Sequence, residues 1–278
     1  MNIQPCIRTE GLIYRYEPGY PALNGIDLEI PEHAYLGIIG QNGSGKTTLV
    51  KHFNGLLKPT AGEVWVYGRA TSSRPVSELA RTVGYVFQNP DHQIFGATTR
   101  EEISFGPRNL GLSEAEVEER TEEALAAFDL EAYAELPPAV LGFGLRRKVS
   151  VAAVYAMRPP ILILDEPTSG LDWRSARELM ALVDRLHAQG HTIILISHDM
   201  RLIAQHTQQT LVLQEGRVLL YGSTREVFQQ HEVLQQAQIT PPQINQLASR
   251  LADCGLPQDV LTVAEFCQAY NRLKEARE

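Results

Sequence analysis

The nine residues GQNGSGKTT, Gly40 to Thr48, constrain this chain more than any other segment. They match G-x-x-x-x-G-K-[ST] at every fixed position, between the apolar run YLGIIG and the stretch KTTLVKHFNGLL, which reads as a helix. An apolar strand of this kind suits the buried middle of a parallel sheet. The glycines let the loop wrap so that successive N–H groups point at a phosphate. Gly40, Gln41, Asn42, Gly43, Ser44, Gly45, Lys46, Thr47 and Thr48 are therefore candidate nucleotide-binding residues. Lys46 would place a point charge on the β/γ oxygens, and the Thr47 hydroxyl can ligate Mg²⁺.

Such a loop needs an acidic partner at the end of a buried strand. ILILDE supplies it, 119 residues after Lys46. Asp165 would hold Mg²⁺ through water and Glu166 would polarise the attacking water, both at the carboxyl end of a strand, where open α/β sheets bind ligands. TIILISHD reads as a further buried strand, and residues 175–189 as an amphipathic helix stopped by Gly190. Ser113 and Glu116 form a capping box ahead of Val117, Thr121, Leu125 and Phe128 on one helix face. Strand and helix alternating at this spacing predict an α/β fold with a parallel sheet covered on both faces. Near residue 230 the pattern changes. QQHEVLQQAQITPP has no clear period, and two short helices follow, one with Ile244, Leu247 and Leu251, the other capped by Thr262. Residues 1–230 read as the main domain and 231–278 as a small helical appendage.

A net charge of −8 argues against nucleic acid as a partner. The triplet Arg146, Arg147, Lys148 is too short to alter that and reads as a solvated helix face. Cys6, Cys254 and Cys267 are far apart, with no C-x-x-C pair, which suits a reducing compartment. The N-terminus lacks a signal-peptide pattern, and no apolar run approaches the roughly 20 residues that span a bilayer, so any membrane role is expected to be peripheral.

With these motifs in order, the main domain resembles the ATPase subunit of an ABC transporter, a P-loop NTPase. The resemblance implies a parallel-sheet core, an antiparallel β subdomain, a helical subdomain at about 89–157, and ATP with Mg²⁺. It places Tyr16, with Tyr14 and Tyr20 as nearby alternatives, against adenine. Gln88, in VFQNPDHQIF, falls at the Q-loop, which senses the γ-phosphate, reaches the metal and contacts a membrane subunit. SGLD, Ser169, Gly170, Leu171 and Asp172, matches the D-loop of the dimer interface, and His198 matches the switch histidine. QNPDHQIF and the tail are similar to the energy-coupling-factor branch, which takes up vitamins or cobalt and nickel; its tail helps two ATPase subunits associate.

One segment departs from the family. The signature L-S-G-G-Q, which closes over ATP held by the other subunit, is here Leu141, Gly142, Phe143, Gly144, Leu145. The serine hydroxyl is absent, and Phe143 is expected to put a ring where backbone should approach the phosphates. One lost charge-assisted hydrogen bond costs about 1.5–3 kcal/mol, so the site this loop covers should be weak. A heterodimer with an intact second ATPase is favoured over a homodimer. Restoring Gly142→Ser, Phe143→Gly and Leu145→Gln should then raise activity.

The implied function is ATP hydrolysis by Glu166, His198 and Gln88 at the cytoplasmic face of the membrane. It would drive a transmembrane coupling protein and a substrate-binding membrane protein. A soluble ABC ATPase of repair or translation is the alternative, disfavoured by the absence of a long coiled-coil insertion or a second ATPase domain. A non-catalytic ATP-binding regulator is another, disfavoured by the intact Glu166 and His198.

Overall fold

The computed structural model describes residues 5–16 and 19–276. In chain order its elements begin with β1 (Ile7–Tyr14), β2 (Leu23–Ile30), β3 (Tyr35–Gly40), α1 (Lys46–Phe53), β4 (Ala61–Val66), β5 (Arg69–Ala70), α2 (Val76–Leu79) and β6 (Val83–Val86). Then come α3 (Thr99–Asn109), α4 (Glu114–Ala127), α5 (Phe143–Tyr155), β7 (Ile161–Asp165), α6 (Trp173–Ala188), β8 (Thr192–Ile196) and α7 (Met200–His206). The hairpin β9 (Gln209–Gln214) and β10 (Arg217–Ser223) precedes α8 (Thr224–Gln229), α9 (His231–Gln236), α10 (Gln243–Arg250) and α11 (Val263–Glu275).

The main sheet has the order β10-β9-β3-β8-β7-β6. Its strands run parallel from β9 to β6, with β10 antiparallel at one edge. Every residue of β7 and β8 is buried, because both faces are covered. Alternate side chains go to opposite layers. Ile161, Ile163, Ile194 and Ile196 pack with Leu49, Val50 and Phe53 of α1 and with the second sheet. Leu162, Leu164, Ile193 and Leu195 pack under α4, α5 and α6. The second sheet, β2-β1-β4-β5, is antiparallel and buries one face, so β2 alternates buried and exposed positions toward its end.

Three helices, α3 to α5, lie between β6 and β7. The capping box at Ser113 forms as the sequence predicts, and Val117, Thr121 and Leu125 are buried on one face of α4. Asp172 caps α6 by accepting from the Ser175 N–H at 2.9 Å, and Gly190 follows that helix at φ +100°.

The two short helices expected in the tail are α10 and α11. The stretch without a period contains α9, and Leu234, Ala237 and Ile239 join the same core as the main sheet, as does Leu261. Six residues are too few to display a 3.6-residue period; tertiary packing makes the helix. Arg225 of α8 reaches Glu265 of α11 at 2.5 Å, and the buried Asn245 donates to the Val260 carbonyl at 3.0 Å. Among the described residues no helix is long and apolar enough to cross a membrane.

Candidate nucleotide site

β3, β8 and β7 are neighbours in the sheet, so the segments leaving their carboxyl ends converge. They open on a cleft of about 920 Å³, lined by the phosphate loop, Tyr16, Gln88, Asp165, Glu166 and His198. Every loop position from Gly40 to Thr48 lines it except Ser44, whose buried hydroxyl lies behind the loop with no hydrogen-bond partner.

The glycines of the loop are required by geometry at two positions. Gly40 has φ +152° and Gly45 φ +104°; a Cβ would lie 2.4 Å from the Leu213 carbonyl oxygen at the first and 2.7 Å from that of Ala22 at the second. Lys46 Nζ donates to the Gly40 and Gln41 carbonyls, both at 2.8 Å. Burial lowers its pKa below the ordinary lysine value, and the fields of Glu166 and Asp165 oppose that shift.

Asp165 Oδ2 accepts from the Thr47 hydroxyl at 2.9 Å and from the Tyr85 hydroxyl at 2.7 Å. Burial raises the Tyr85 phenol well above its usual range, which keeps it a donor. The oxygens of Thr47 and Asp165 are the hard donors that small divalent cations take. Glu166 is buried, and its Oε2 lies 2.8 Å from Nδ1 of the exposed His198. Tyr16 is 61% exposed; its hydroxyl is 3.0 Å from Thr48 Oγ1, and its ring stands perpendicular to that of Tyr14 with centroids 4.9 Å apart. Tyr20 is fully exposed and outside the cleft. The neighbouring residues 17 and 18 lie outside the described residues.

The D-loop and signature residues do not line this cleft. The half-buried Phe143 ring does not stand free in solvent: it packs within its own chain, where a Cβ on Gly170 would be 3.1 Å away. The cause is helical spacing, since α5 begins at Phe143 and places it on the same face as Arg147. Nor is Arg147 solvated. It is 0% exposed, donates to the Phe87 carbonyl at 2.7 Å and to the Gln88 carbonyl, and lies over the Phe143 ring.

Sequence reasoning missed Tyr85 because it sits in an apolar strand that reads as core. It also missed Gln238, Ile239 and Thr240, which line the cleft from the tail. Gln238, at φ +53°, accepts a hydrogen bond from the Gln41 side chain. A glutamine in a glutamine-rich stretch carries no signal of such a position.

Parallel strands ending at a phosphate loop, an Asp–Glu pair and a histidine define an ATP-binding cassette. The ABC transporter family model matches residues 23–169, and the chain belongs to that family, among the ATP-binding proteins of energy-coupling factor transporters. It is 40% identical to the energy-coupling factor transporter ATP-binding protein EcfA of Methanosphaera stadtmanae, over 88% of this chain and 89% of that one. It is 47% identical, over 88% of its length, to a putative ABC transporter ATP-binding protein of Caldanaerobacter subterraneus, and spans 43% of that relative. A solved structure of cbiO1 from Clostridium perfringens, described as part of the ABC transporter complex cbiONQ, superposes with a TM-score of 0.76 at 36% identity. That match covers 88% of this chain and 99% of cbiO1. A dimeric ATP-binding cassette bound to ADP and Pi superposes at 0.71, with 27% identity over 78% of this chain and 98% of that one. These relatives carry the transporter reading, not the repair or translation one.

Proposed function

We propose that this chain is the ATP-hydrolysing cassette of an energy-coupling-factor importer, docked at the cytoplasmic face of a membrane and driving micronutrient uptake through membrane partners. The observation that carries this is the convergence of phosphate loop, Asp165–Glu166, His198, Gln88 and Tyr16 on one cleft. ATP would lie with its phosphates on the loop N–H groups and Lys46 and its adenine against Tyr16. Glu166, steadied by His198, orients a water whose oxygen attacks the γ-phosphorus. The bond to the ADP oxygen breaks, ADP leaves with the electron pair, and the water proton passes to the carboxylate. Thr47 and Asp165, with Gln88 at the edge, would hold Mg²⁺, which when bound supplies charge neutralisation at the phosphate oxygens. Glu166→Gln should abolish turnover while ATP still binds, measured by phosphate release beside equilibrium nucleotide binding. Full turnover in that variant removes Glu166 from its role.

The signature loop lies outside this chain's cleft, which supports its facing the nucleotide of a second cassette. Without the serine hydroxyl it would close that cleft poorly, so a different, intact ATPase is the favoured partner, alongside a transmembrane coupling protein and a substrate-binding membrane protein. Native mass spectrometry of the detergent-solubilised complex should find one copy of this chain with a second ATPase. Two copies would instead make LGFGL the closure of both sites.

A further inference from the structure

The segment LGFGLRRK holds more than a depleted signature. Arg147 is the largest fully buried side chain among the described residues; burial lowers its pKa, the field of Asp165 opposes that shift, and its guanidinium makes no direct carboxylate contact. Its guanidinium donates instead to two backbone carbonyls, of Phe87 and Gln88, while Nε has no partner. A buried cation held this way needs every favourable contact it has. One comes from Phe143, whose ring centroid is 5.6 Å from the Arg147 guanidinium carbon. The Cε1 rim of that ring faces Gly170, where an added Cβ would lie 3.1 Å from it. A second staple runs alongside: the Gln93 side chain accepts from Phe87 N at 3.2 Å and donates to the Ser150 carbonyl of α5 at 2.7 Å. Arg146 lies 3.5 Å from Asp91 on the same flank.

We infer that Phe143 and Arg147 form an internal brace tying residues 87–93 and Gly170 to the start of α5, and that Arg147 is a positioning residue of the ATPase. In this chain the phenylalanine of LGFGL therefore has an occupant's role within its own subunit. It covers a buried cation, and through it the segment carrying Gln88 and the segment carrying Ser169–Asp172 shift together with α5. This extends the ATPase reading above and rests on it for the roles of those two segments.

The test uses the full chain carrying Phe143→Leu, Arg147→Lys or both. Hydrogen–deuterium exchange should rise by about tenfold or more at residues 87–93 and 169–172 in Arg147→Lys. It should rise at both segments in Phe143→Leu, with the double variant no worse than the worse single one. Nucleotide affinity should stay within about threefold of wild type, because Arg147 does not line the cleft, while kcat in the assembled complex falls by about tenfold. Unchanged exchange at both segments, additive effects of the two substitutions, or loss of affinity matching the loss of kcat would each overturn the brace. The exchange arm needs no nucleotide and so decides the brace alone; a wild-type chain that binds no ATP would overturn the ATPase reading separately.

Discussion

At Glu166 the backbone turns through φ +48°, a left-handed conformation that costs a side-chain-bearing residue about 1–2 kcal/mol. The turn follows directly on β7, and it leaves the carboxylate against His198 rather than beside Asp165's partners. Two adjacent acids thus receive different surroundings, one held by hydroxyl donors and one by an imidazole. Tyr85 is the residue that separates them most clearly. Tyr85→Phe removes a donor from Asp165 but keeps the ring that packs edge-on against Phe87. The Mg²⁺ concentration giving half-maximal ATPase should rise by about tenfold or more, with kcat at saturating Mg²⁺ nearly unchanged. A Mg²⁺ titration of activity reads this out, and an unchanged midpoint would return Tyr85 to a packing role.

Helices α5 and α6 make an instructive pair. α6 starts on a capping aspartate, whereas α5 starts on Gly142 with no side-chain cap, in open space where an added Cβ meets nothing within 4 Å. Gly142→Ser should therefore add a cap worth a few tenths of a kcal/mol without strain. It should also raise ATPase activity of the assembled complex by restoring the hydroxyl, seen as a small rise in Tm beside a larger rise in turnover. Phe143→Gly, by contrast, would strip the cover from Arg147. The sequence made α6, α4 and the buried strands legible because a cap and a period or an apolar run fall together there. It did not make Arg147 legible, since three consecutive basic residues look alike until helical spacing turns one of them inward. The phosphate loop, Asp165 and Glu166 could be found from motif and strand alone; Gln238 and Tyr85 could not, because only the three-dimensional path brings them to the cleft.

Over the whole molecule, the sheet places chemistry at one end of its parallel strands and the tail passes across that same end. Leu234, Ile239 and Leu261 lie in the core of the main sheet, so the tail is built into that core. A chain ending at Gln230 should lose roughly 4.5–9 kcal/mol of stability from those three side chains alone, at about 1.5–3 kcal/mol each. Urea unfolding of the shortened and full chains measures it; equal midpoints would show the tail to be an independent unit. Because Gln238, Ile239 and Thr240 are wall of the cleft and part of the tail at once, nucleotide and tail obey a two-way thermodynamic bargain. Whatever factor the seated tail adds to ATP affinity, ATP must add to the seating of the tail. A protease cutting near residue 240 would therefore report nucleotide occupancy from outside the site.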